Sequence, residues 1–322
     1  MIKVALIGIG SMGNVHYKSY KDVKNAKLVA VCDPRVELAK SKIDDESIKI
    51  YASFDELFEK EEFDVVDICT PSYMHADMAV KALEAGKHVL LEKPMSLTAK
   101  DTDRIIAAAN KTDKMFMTAH VVRFMSAYVY LKKVIDSKEL GEIVRYETRR
   151  FSGIPKNSCD NWMHDCEKSG GTPIDLAIHD LDFIQYVFGE PKEISSVYKK
   201  MENKNDYVSA TLTYDNFTAS VSSGWYHFDT GFKAEYFAVF ENGCVECRDN
   251  KVYKNGEEVD VPRGTVCEDD DFNASGADGY LEEIVYFLEC VENNQKPLMV
   301  TPESSKLSVA IGEKVIENAI II

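Results

Sequence analysis

The sequence is short of positive charge. It holds 38 lysine and arginine residues against 54 aspartate and glutamate residues, so the formal net charge is −16. Nucleic acids and anionic membrane surfaces are themselves negative, so this balance argues against both as partners. No basic cluster suits a phosphorylated substrate either, and we expect a neutral small molecule. The acidic run at residues 268–271 is interpreted as a solvated loop.

Long apolar runs are also missing. No stretch of about eighteen apolar residues occurs, so no segment is expected to span a membrane. The N-terminus has the pattern of a first strand and not that of a signal peptide. The eight cysteines are scattered, and Cys32 and Cys69 lie in apolar strand patterns. Such cysteines are typical of reduced thiols, so a cytoplasmic protein is expected.

Paired metal-binding motifs are absent as well. Cys244 and Cys247 have the spacing of a metal or redox pair, but they stand alone in a strand-like segment. Cys159, His164 and Cys166 form a looser cluster that is only a weak zinc candidate. The prediction is therefore that the protein has no metal site.

Strand and helix patterns alternate over the first 120 residues. Strands are predicted at 2–7, 27–32, 64–69, 87–91 and 115–118, and helices at 11–21, 53–60, 73–85 and 98–111. Alternation with short connections predicts right-handed crossovers and a parallel sheet covered on both faces. This is the doubly wound α/β class.

Beyond residue 140 the pattern becomes rich in β structure. Strand-like segments occupy 143–152, 193–201, 206–214, 217–225 and 233–247, and helical patterns occupy 173–188, 278–293 and 302–319. Asp215 and Asn216 separate two of the strands, as a hairpin turn would. We expect a mostly antiparallel sheet here, and therefore two domains, residues 1–120 and 121–322.

Three glycines follow the first strand, and each has its own physical reason. Gly8 allows a tight turn, Gly10 lets backbone N–H groups approach a pyrophosphate, and Gly13 lets the following helix pack on the strand. Ser11 and Met12 begin that helix, whose first N–H groups favour phosphate. The alternative is a strand–turn–helix that binds nothing.

An acidic residue ends the second strand. Asp33 lies twenty residues past Gly13, where a carboxylate accepts hydrogen bonds from the ribose of NAD. Its charge repels a 2′-phosphate, which favours NAD over NADP. Arg35 weakens this preference, because a guanidinium can pair with that phosphate. Arg35 is otherwise a solvated residue in the first turn of the next helix.

Two polar motifs indicate chemistry. Lys93, after Glu92, lies at the carboxyl end of a strand, the edge where ligands of open α/β sheets bind. Asp175 and His179 are four residues apart in a predicted helix, so a carboxylate can orient an imidazole that acts as a base. Alternatively, Asp175 completes a capping box with Thr172, and Lys93 is an exposed turn residue.

These motifs make the sequence similar to the Gfo/Idh/MocA oxidoreductase family, which includes inositol, glucose–fructose and other sugar dehydrogenases. The resemblance runs the length of the chain. It rests on the glycine turn, Cys69-Thr70-Pro71 with His75, the segment from Ala85 to Pro94, Arg123-Phe124, Gly170-Gly171 with Asp175 and His179-Asp180, and Lys296-Pro297. The motif Glu-Lys-Pro followed far downstream by GGxxxDxxxH is much more specific than the glycine turn.

The resemblance implies a catalytic group of Lys93, Asp175 and His179 and a nicotinamide cofactor. It also implies an N-terminal Rossmann domain, a C-terminal α/β domain with a large open sheet, and dimers or tetramers formed through that sheet. The family often holds the lysine–proline bond in cis, so a cis bond is predicted between Lys93 and Pro94.

The cofactor contacts that the resemblance implies extend to the end of the third predicted strand. Thr70, Pro71, Ser72 and His75 are the candidates there, and Glu92 is a candidate after the fourth predicted strand. Ser72 departs from the asparagine that the family often has, so the nicotinamide-side contacts are open. His75 is as well explained by a structural tie between helix and strand as by a cofactor contact.

The expected reaction is hydride transfer between NAD, or NADP, and a secondary alcohol of a sugar or cyclitol. Arg123 and Trp162 are candidate substrate contacts, although Arg123 can equally brace the structure and Trp162 can pack in the core. Three alternatives stay open. They are a glycosidase that retains NAD, a sensor that binds NAD without turnover, and the same chemistry on a non-carbohydrate.

Overall fold

The computed structural model describes residues 1–155, 158–202, 205–228, 231–266 and 277–322. They form two compact units. Unit 1 comprises residues 1–120 and 280–306, and unit 2 comprises residues 121–266, 277–279 and 307–322. The acidic run at 268–271 lies outside the described residues. In the part of the chain that is described, no helix has the length and apolar character needed to cross a bilayer.

The first 120 residues alternate between strands and helices. The elements are β1 (Ile2–Ile7), α1 (Ser11–Tyr20), β2 (Ala26–Cys32), α2 (Val36–Lys42), β3 (Lys49–Tyr51), α3 (Phe54–Lys60), β4 (Val65–Ile68), α4 (His75–Glu84), β5 (His88–Glu92), α5 (Ala99–Ala109) and β6 (Phe116–Ala119). A short 3₁₀ turn, Ser72–Met74, precedes α4.

The six strands form one parallel sheet in the order β3-β2-β1-β4-β5-β6. The prediction of a doubly wound parallel sheet is therefore confirmed. Chain order reverses between β1 and β4, and in such sheets ligands bind beyond the carboxyl ends of the strands at this point. Strand β3 was not predicted, because three residues give too short a pattern to read.

Unit 2 is built on a larger sheet. Its elements before the last gap in the described chain are α6 (Ser126–Ser137), β7 (Ile143–Gly153), α7 (Cys166–Ser169), α8 (Ile178–Phe188), β8 (Glu193–Glu202), β9 (Asn205–Thr213), β10 (Thr218–Tyr226), β11 (Lys233–Phe240), β12 (Gly243–Arg248), β13 (Lys251–Lys254) and β14 (Glu257–Val259). Irregular helical turns occupy Val121–Arg123, Cys159–His164 and Thr172–Leu176.

Three elements follow the gap: α9 (Tyr280–Glu292), α10 (Pro302–Glu317) and β15 (Ala319–Ile321). The nine-stranded sheet has the order β14-β13-β12-β11-β7-β10-β9-β8-β15. Only the pairs β7–β10 and β8–β15 are parallel among its neighbouring strands. The prediction of a mostly antiparallel sheet is confirmed.

Two turns show how local sequence shapes this sheet. The hairpin expected around Asp215 joins β9 to β10, with Thr213 opposite Thr218. The strand predicted over 233–247 is instead a hairpin, because the chain turns at Glu241 and Asn242. Asn242-Gly243 is a strong turn signal, and it was overlooked within an apolar run.

The predicted domain range 121–322 includes one helix that packs in unit 1. Helix α9 belongs to unit 1, where it packs on α1 and β5. Its apolar face of Ile284, Phe287 and Leu288 is fully buried there. The periodic pattern of α9 predicts a buried face but does not say which sheet buries it.

Candidate cofactor and active site

The glycine turn after β1 has the geometry that its sequence predicts. Gly8 has φ +89°, a conformation that side chains disfavour, and a Cβ there would lie 2.4 Å from the Cys69 carbonyl oxygen. A Cβ on Gly13 would lie 1.9 Å from the Gly8 carbonyl oxygen. No atom lies within 4 Å of the corresponding position on Gly10. Gly8 and Gly13 are therefore required by the protein's own packing, and the space at Gly10 suits a pyrophosphate.

Helix α1 begins at Ser11, directly after Gly10. Gly10 is its N-cap and offers no side chain, and no acidic residue occupies the first turn. The first N–H groups of a helix lack intrahelical acceptors and carry a partial positive charge. The start of α1, at Ser11 and Met12, is thus electrostatically suited to a phosphate.

Asp33 follows β2 and is 2% exposed. Its Oδ2 accepts the N–H of Ile9 at 3.0 Å, which ties it to the glycine turn. Arg35 donates Nε and Nη2 to the two carboxylate oxygens at 3.0 and 2.9 Å. Burial raises the pKa of Asp33, but the Arg35 and Ile9 hydrogen bonds outweigh this effect and hold the pKa below its usual value. The carboxylate is therefore charged, and Arg35 is its partner, although 38% of the Arg35 side chain stays exposed.

Thr70 and Pro71 follow β4 at the switch point of the sheet. The Thr70 hydroxyl is buried and has no hydrogen-bond partner among the described residues. Ser72 is buried in the 3₁₀ turn that Pro71 precedes. An unpaired buried hydroxyl costs free energy unless a ligand or water meets it. Together with the space at Gly10, this hydroxyl fits a bound dinucleotide.

His75 ties two chain segments together. Its Nδ1 lies 2.7 Å from the Pro94 carbonyl oxygen and its Nε2 lies 2.9 Å from the Thr70 carbonyl oxygen. Burial lowers the pKa of His75, and the two carbonyl groups oppose that shift. Both ring nitrogens lie against backbone carbonyl oxygens of the protein, and the neutral ring donates to one of them. This favours the structural interpretation of this residue over cofactor contact.

Lys93 stands in the turn that follows β5. The peptide bond between Lys93 and Pro94 is cis, as predicted. The Lys93 N–H donates to Oε2 of Glu92 at 2.9 Å. Glu92 is buried, and its other oxygen lies 3.2 Å from Nε2 of His16. Glu92 thus contacts His16 and the backbone of the turn, and its role toward the cofactor stays a prediction.

Asp175 and His179 lie at a break in helical structure. Thr172–Leu176 form a π-helical turn, and α8 begins at Ile178. Asp175 is buried and His179 is partly exposed. Gly171, not Thr172, is the N-cap, so the predicted helix start is displaced by one residue. π-Helical turns are frequent at functional sites, which agrees with a catalytic role for this segment.

Asp206 of β9 secures that segment, and sequence reasoning missed it. The Thr172 N–H donates to Oδ1 of Asp206 at 3.4 Å, and the Thr172 hydroxyl donates to the Asp206 carbonyl oxygen at 3.0 Å. Burial raises the pKa of Asp206. The Thr172 hydroxyl is thus used by β9, which weakens the capping-box alternative for Asp175.

Arg123 is 2% exposed and makes a bidentate ion pair with Asp182 at 2.8 and 2.6 Å. Its guanidinium also lies 4.4 Å from the Tyr186 ring centre. This geometry favours bracing over substrate contact. Trp162 is partly exposed in the turn Cys159–His164, whereas Trp225 is the tryptophan that packs in the core.

Lys93 belongs to unit 1, and Asp175 and His179 belong to unit 2. Their convergence on one substrate therefore stays a prediction. The roles of Gly8, Gly10, Ser11, Met12 and Gly13 toward the cofactor stay predictions too, although their geometry suits them.

The chain belongs to the Gfo/Idh/MocA oxidoreductase family, as its motifs indicated. Residues 2–120 match the domain described as oxidoreductase family, NAD-binding Rossmann fold. Residues 132–319 match the domain described as oxidoreductase family, C-terminal alpha/beta domain. Unit 1 therefore carries an NAD-binding Rossmann domain, and NAD is the cofactor of this class.

Curated relatives extend the comparison over the full length. The chain is 25% identical to a myo-inositol 2-dehydrogenase from Thermotoga maritima, covering 97% of this chain and 94% of the relative. It is 28% identical to a scyllo-inositol 2-dehydrogenase (NAD(+)) from Bacillus subtilis, covering 97% and 92%. A 2,7-anhydro-N-acetylneuraminate hydratase from Mediterraneibacter gnavus is 29% identical, but the match covers 59% of this chain and half of that protein.

Solved structures share the fold. A myo-inositol 2-dehydrogenase from Lactobacillus plantarum superposes with a TM-score of 0.82 at 21% identity, covering 99% of this chain and 97% of that one. An Agrobacterium radiobacter oxidoreductase, solved with NAD⁺, L-tartaric acid and magnesium, has a TM-score of 0.84 at 19% identity, covering 99% and 96%.

Proposed function

We propose that the protein is an NAD-dependent dehydrogenase that oxidises a secondary alcohol of a cyclitol or sugar. The observation that carries the proposal is the glycine turn, where the space at Gly10 and the charged Asp33 suit the pyrophosphate and ribose of NAD. The full-length similarity to two inositol 2-dehydrogenases supports the substrate class. The relatives do not favour the NAD-retaining glycosidase or the non-catalytic sensor.

The catalytic group that we propose is Lys93, Asp175 and His179. His179 removes the hydroxyl proton of the substrate, and Asp175 orients the imidazole and keeps it basic. Lys93 donates a hydrogen bond to the same oxygen and stabilises the negative charge that builds there. A bound NAD would supply the hydride acceptor, so that the alcohol would become a ketone. The hydroxyl proton goes to His179, so the hydride and the proton that leave the alcohol are both accounted for.

Gly10, the start of α1 and Asp33 would hold the pyrophosphate and adenine-side ribose, and Thr70 would meet the nicotinamide half. NADP stays possible because Arg35 is adjacent to the ribose position. We further expect a cytoplasmic enzyme that forms dimers or tetramers through the sheet of unit 2. Trp162 is retained as a candidate for stacking on the apolar face of the substrate.

The test is a substrate panel. Purified protein is mixed with NAD or NADP and with inositols, other polyols, sugars and glycosides, while reduction of the nicotinamide and glycoside cleavage are followed together. The proposal predicts net reduction of NAD with at least one inositol or sugar. Cleavage or dehydration of a substrate without net reduction would contradict it, and so would binding of NAD with no turnover of any alcohol.

A further inference from the structure

The turn that carries Lys93 is held by contacts of the residue before Lys93 and of the residue after it. Glu92 precedes Lys93 and contacts His16, and Pro94 follows it and contacts His75. All four partners belong to unit 1, and both histidines are fully buried. His16 was not singled out by sequence reasoning. Any role of His16 and His75 in catalysis rests on the proposed function of Lys93.

His16 lies on α1 between two carboxylates. Its Nδ1 is 2.8 Å from Oδ2 of Asp67, and its Nε2 is 3.2 Å from Oε1 of Glu92. Carboxylates only accept, so both ring nitrogens must carry protons to make both contacts. Burial lowers the pKa of His16, but the charges and hydrogen bonds of its neighbours Asp67 and Cys69 together more than reverse this, and the pKa is well above the usual value. The residue is therefore a buried imidazolium.

Neighbouring groups complete this cluster. The Tyr20 hydroxyl of α1 donates to Asp67 at 2.9 Å, and the thiol of Cys69, just after β4, lies 3.6 Å from the same carboxylate. Glu283 of α9 faces His16 and Glu92, within metal-ligand spacing. However, both nitrogens of His16 already face carboxylate oxygens, so hydrogen bonding accounts for the arrangement without an ion.

The contact reaches Lys93 through Glu92. Oε1 of Glu92 faces His16, and Oε2 accepts the Lys93 N–H at 2.9 Å. The charge of His16 also helps to keep the pKa of Glu92 below its usual value, against the effect of burial. A charged carboxylate is the stronger acceptor for the Lys93 N–H. The orientation of the backbone at Lys93 thus depends on His16.

The second contact to the turn that carries Lys93 comes from His75, the first residue of α4. His75 sits between the carbonyl oxygens of Pro94 and Thr70. Thr70 is one of the residues expected to meet the cofactor. His75 therefore fixes the spacing between the lysine turn and the end of β4.

We infer that His16 and His75 are positioning residues that together hold Lys93 in its catalytic orientation. Both side chains are fully buried, so we expect neither to touch the substrate. Displacing a catalytic group by about 1 Å can cost about 100-fold in rate. The effect of His16 should therefore appear in kcat rather than in cofactor affinity, whereas His75 also holds Thr70 and acts on both.

The experiment compares His16→Gln and His75→Gln with a matched control, His88→Gln. His88 lies at the opposite end of β5 from Glu92, and its ring also bonds a backbone group, the Met115 N–H. Amide hydrogen exchange is measured by mass spectrometry on peptides that contain residues 92–95 and residues 2–7. The kcat and the Kd for NAD are measured on the same proteins.

The inference predicts at least about tenfold faster exchange at residues 92–95 in both test variants, with residues 2–7 unchanged. It also predicts a kcat about 10- to 100-fold lower in both test variants, a Kd for NAD within about threefold of wild type in His16→Gln, and no change in His88→Gln. Equal acceleration at residues 2–7 would indicate general destabilisation and overturn the inference. Unchanged exchange at residues 92–95 would overturn it as well.

Two features keep the test decisive. If wild type oxidises no alcohol, the proposed function fails, yet the exchange measurement still decides whether the histidines hold the turn. If His16→Gln does not fold, Glu92→Gln replaces it, since this isostere keeps the shape but weakens the acceptor for the Lys93 N–H. Its exchange at residues 92–95 should rise in the same way, and an unchanged rate would count against the inference.

Discussion

The carbonyl oxygen of Gly8 lies 1.9 Å from where a Cβ atom on Gly13 would stand. The two residues are thus in backbone contact across the junction of β1 and α1. Alanine inside a helix is normally about 1 kcal/mol more stable than glycine. At Gly13 the added methyl group would clash with backbone, and a rotamer change cannot relieve that clash. Alanine should therefore be less stable than glycine at this position.

We expect Gly13→Ala to lower the free energy of unfolding by at least about 2 kcal/mol. Chemical denaturation of wild type and variant measures the change. Gly10→Ala is the control, because Gly10 has φ −64° and open space around it. Gly86→Ala is unsuitable, because Gly86 has a positive φ. A Gly13→Ala protein as stable as wild type would show that α1 can move away from β1 at little cost.

Gly10→Ala gives the opposite prediction. No protein atom lies within 4 Å of the new methyl group, so stability should stay within about 0.5 kcal/mol of wild type. The methyl group would occupy the space that we assign to the pyrophosphate. The Kd for NAD, measured by titration calorimetry, should rise at least about tenfold, the equivalent of one hydrogen bond to a charged group. Undiminished NAD affinity would place the pyrophosphate elsewhere.

The parts of the fold that could be predicted from the sequence are those with local causes. Gly8, Gly10 and Gly13 each have a conformational reason that operates within a few residues, and their geometry agrees with it. The alternation of strands and helices likewise predicts a parallel sheet by general connection rules. The end of a predicted strand singled out Lys93 and helical spacing singled out Asp175 and His179, and motif resemblance then joined the three into one catalytic group.

The buried contacts could not be predicted, because their partners meet only after folding. His16, Asp67, Glu92 and Glu283 come from α1, β4, β5 and α9, and no spacing in the chain relates them. Asp206 reaches Thr172 across two elements in the same way. The sequence left Arg123 open between substrate contact and bracing, because its partner Asp182 is brought to it only by folding.

Cofactor preference should depend on the pair Asp33 and Arg35. In Asp33→Ser the guanidinium of Arg35 loses the carboxylate that it now bonds through two nitrogens and can pair with a 2′-phosphate. We expect the ratio of kcat/KM for NAD to that for NADP to fall at least about tenfold, as charge-assisted bonds of this kind would give. Steady-state kinetics with both cofactors measures this ratio.

The double variant Asp33→Ser/Arg35→Gln is the control for that experiment. It lacks the guanidinium, so the gain with NADP should disappear while the loss with NAD remains. If both variants improve equally with NADP, removal of the Asp33 charge alone is sufficient and Arg35 has no part in selection.

The catalytic roles predict graded losses of turnover. His179→Ala should lower kcat about 10²- to 10⁴-fold, the usual contribution of a positioned base, while NADH binding is retained. Lys93→Ala should be worse, because it removes both positioning and charge stabilisation. Single-turnover rates and NADH binding are measured for both. A His179→Ala enzyme within a few-fold of wild type would exclude the imidazole as the base.

Glu283 provides a test of buried charge. Its side chain is fully buried, and neither of its oxygens has a hydrogen-bond partner among the described residues. Burial, and then the charges of Glu92 and Asp67, raise its pKa well above the usual value. A carboxyl group with a raised pKa stabilises the fold below its unfolded-state pKa, near 4.5. That stability is lost as the pH rises through the folded-state pKa.

Glu283→Gln should therefore abolish this loss, because an amide does not ionise. Relative to wild type, the variant should gain up to about 1.4 kcal/mol of unfolding free energy per pH unit between pH 5 and the folded-state pKa. Urea denaturation at several pH values measures the difference, and Glu289→Gln, at an exposed position of the same helix, should follow wild type. Parallel curves for Glu283→Gln and wild type would mean that Glu283 is ionised in the folded protein. The cluster around His16 would then hold three carboxylates against one imidazolium.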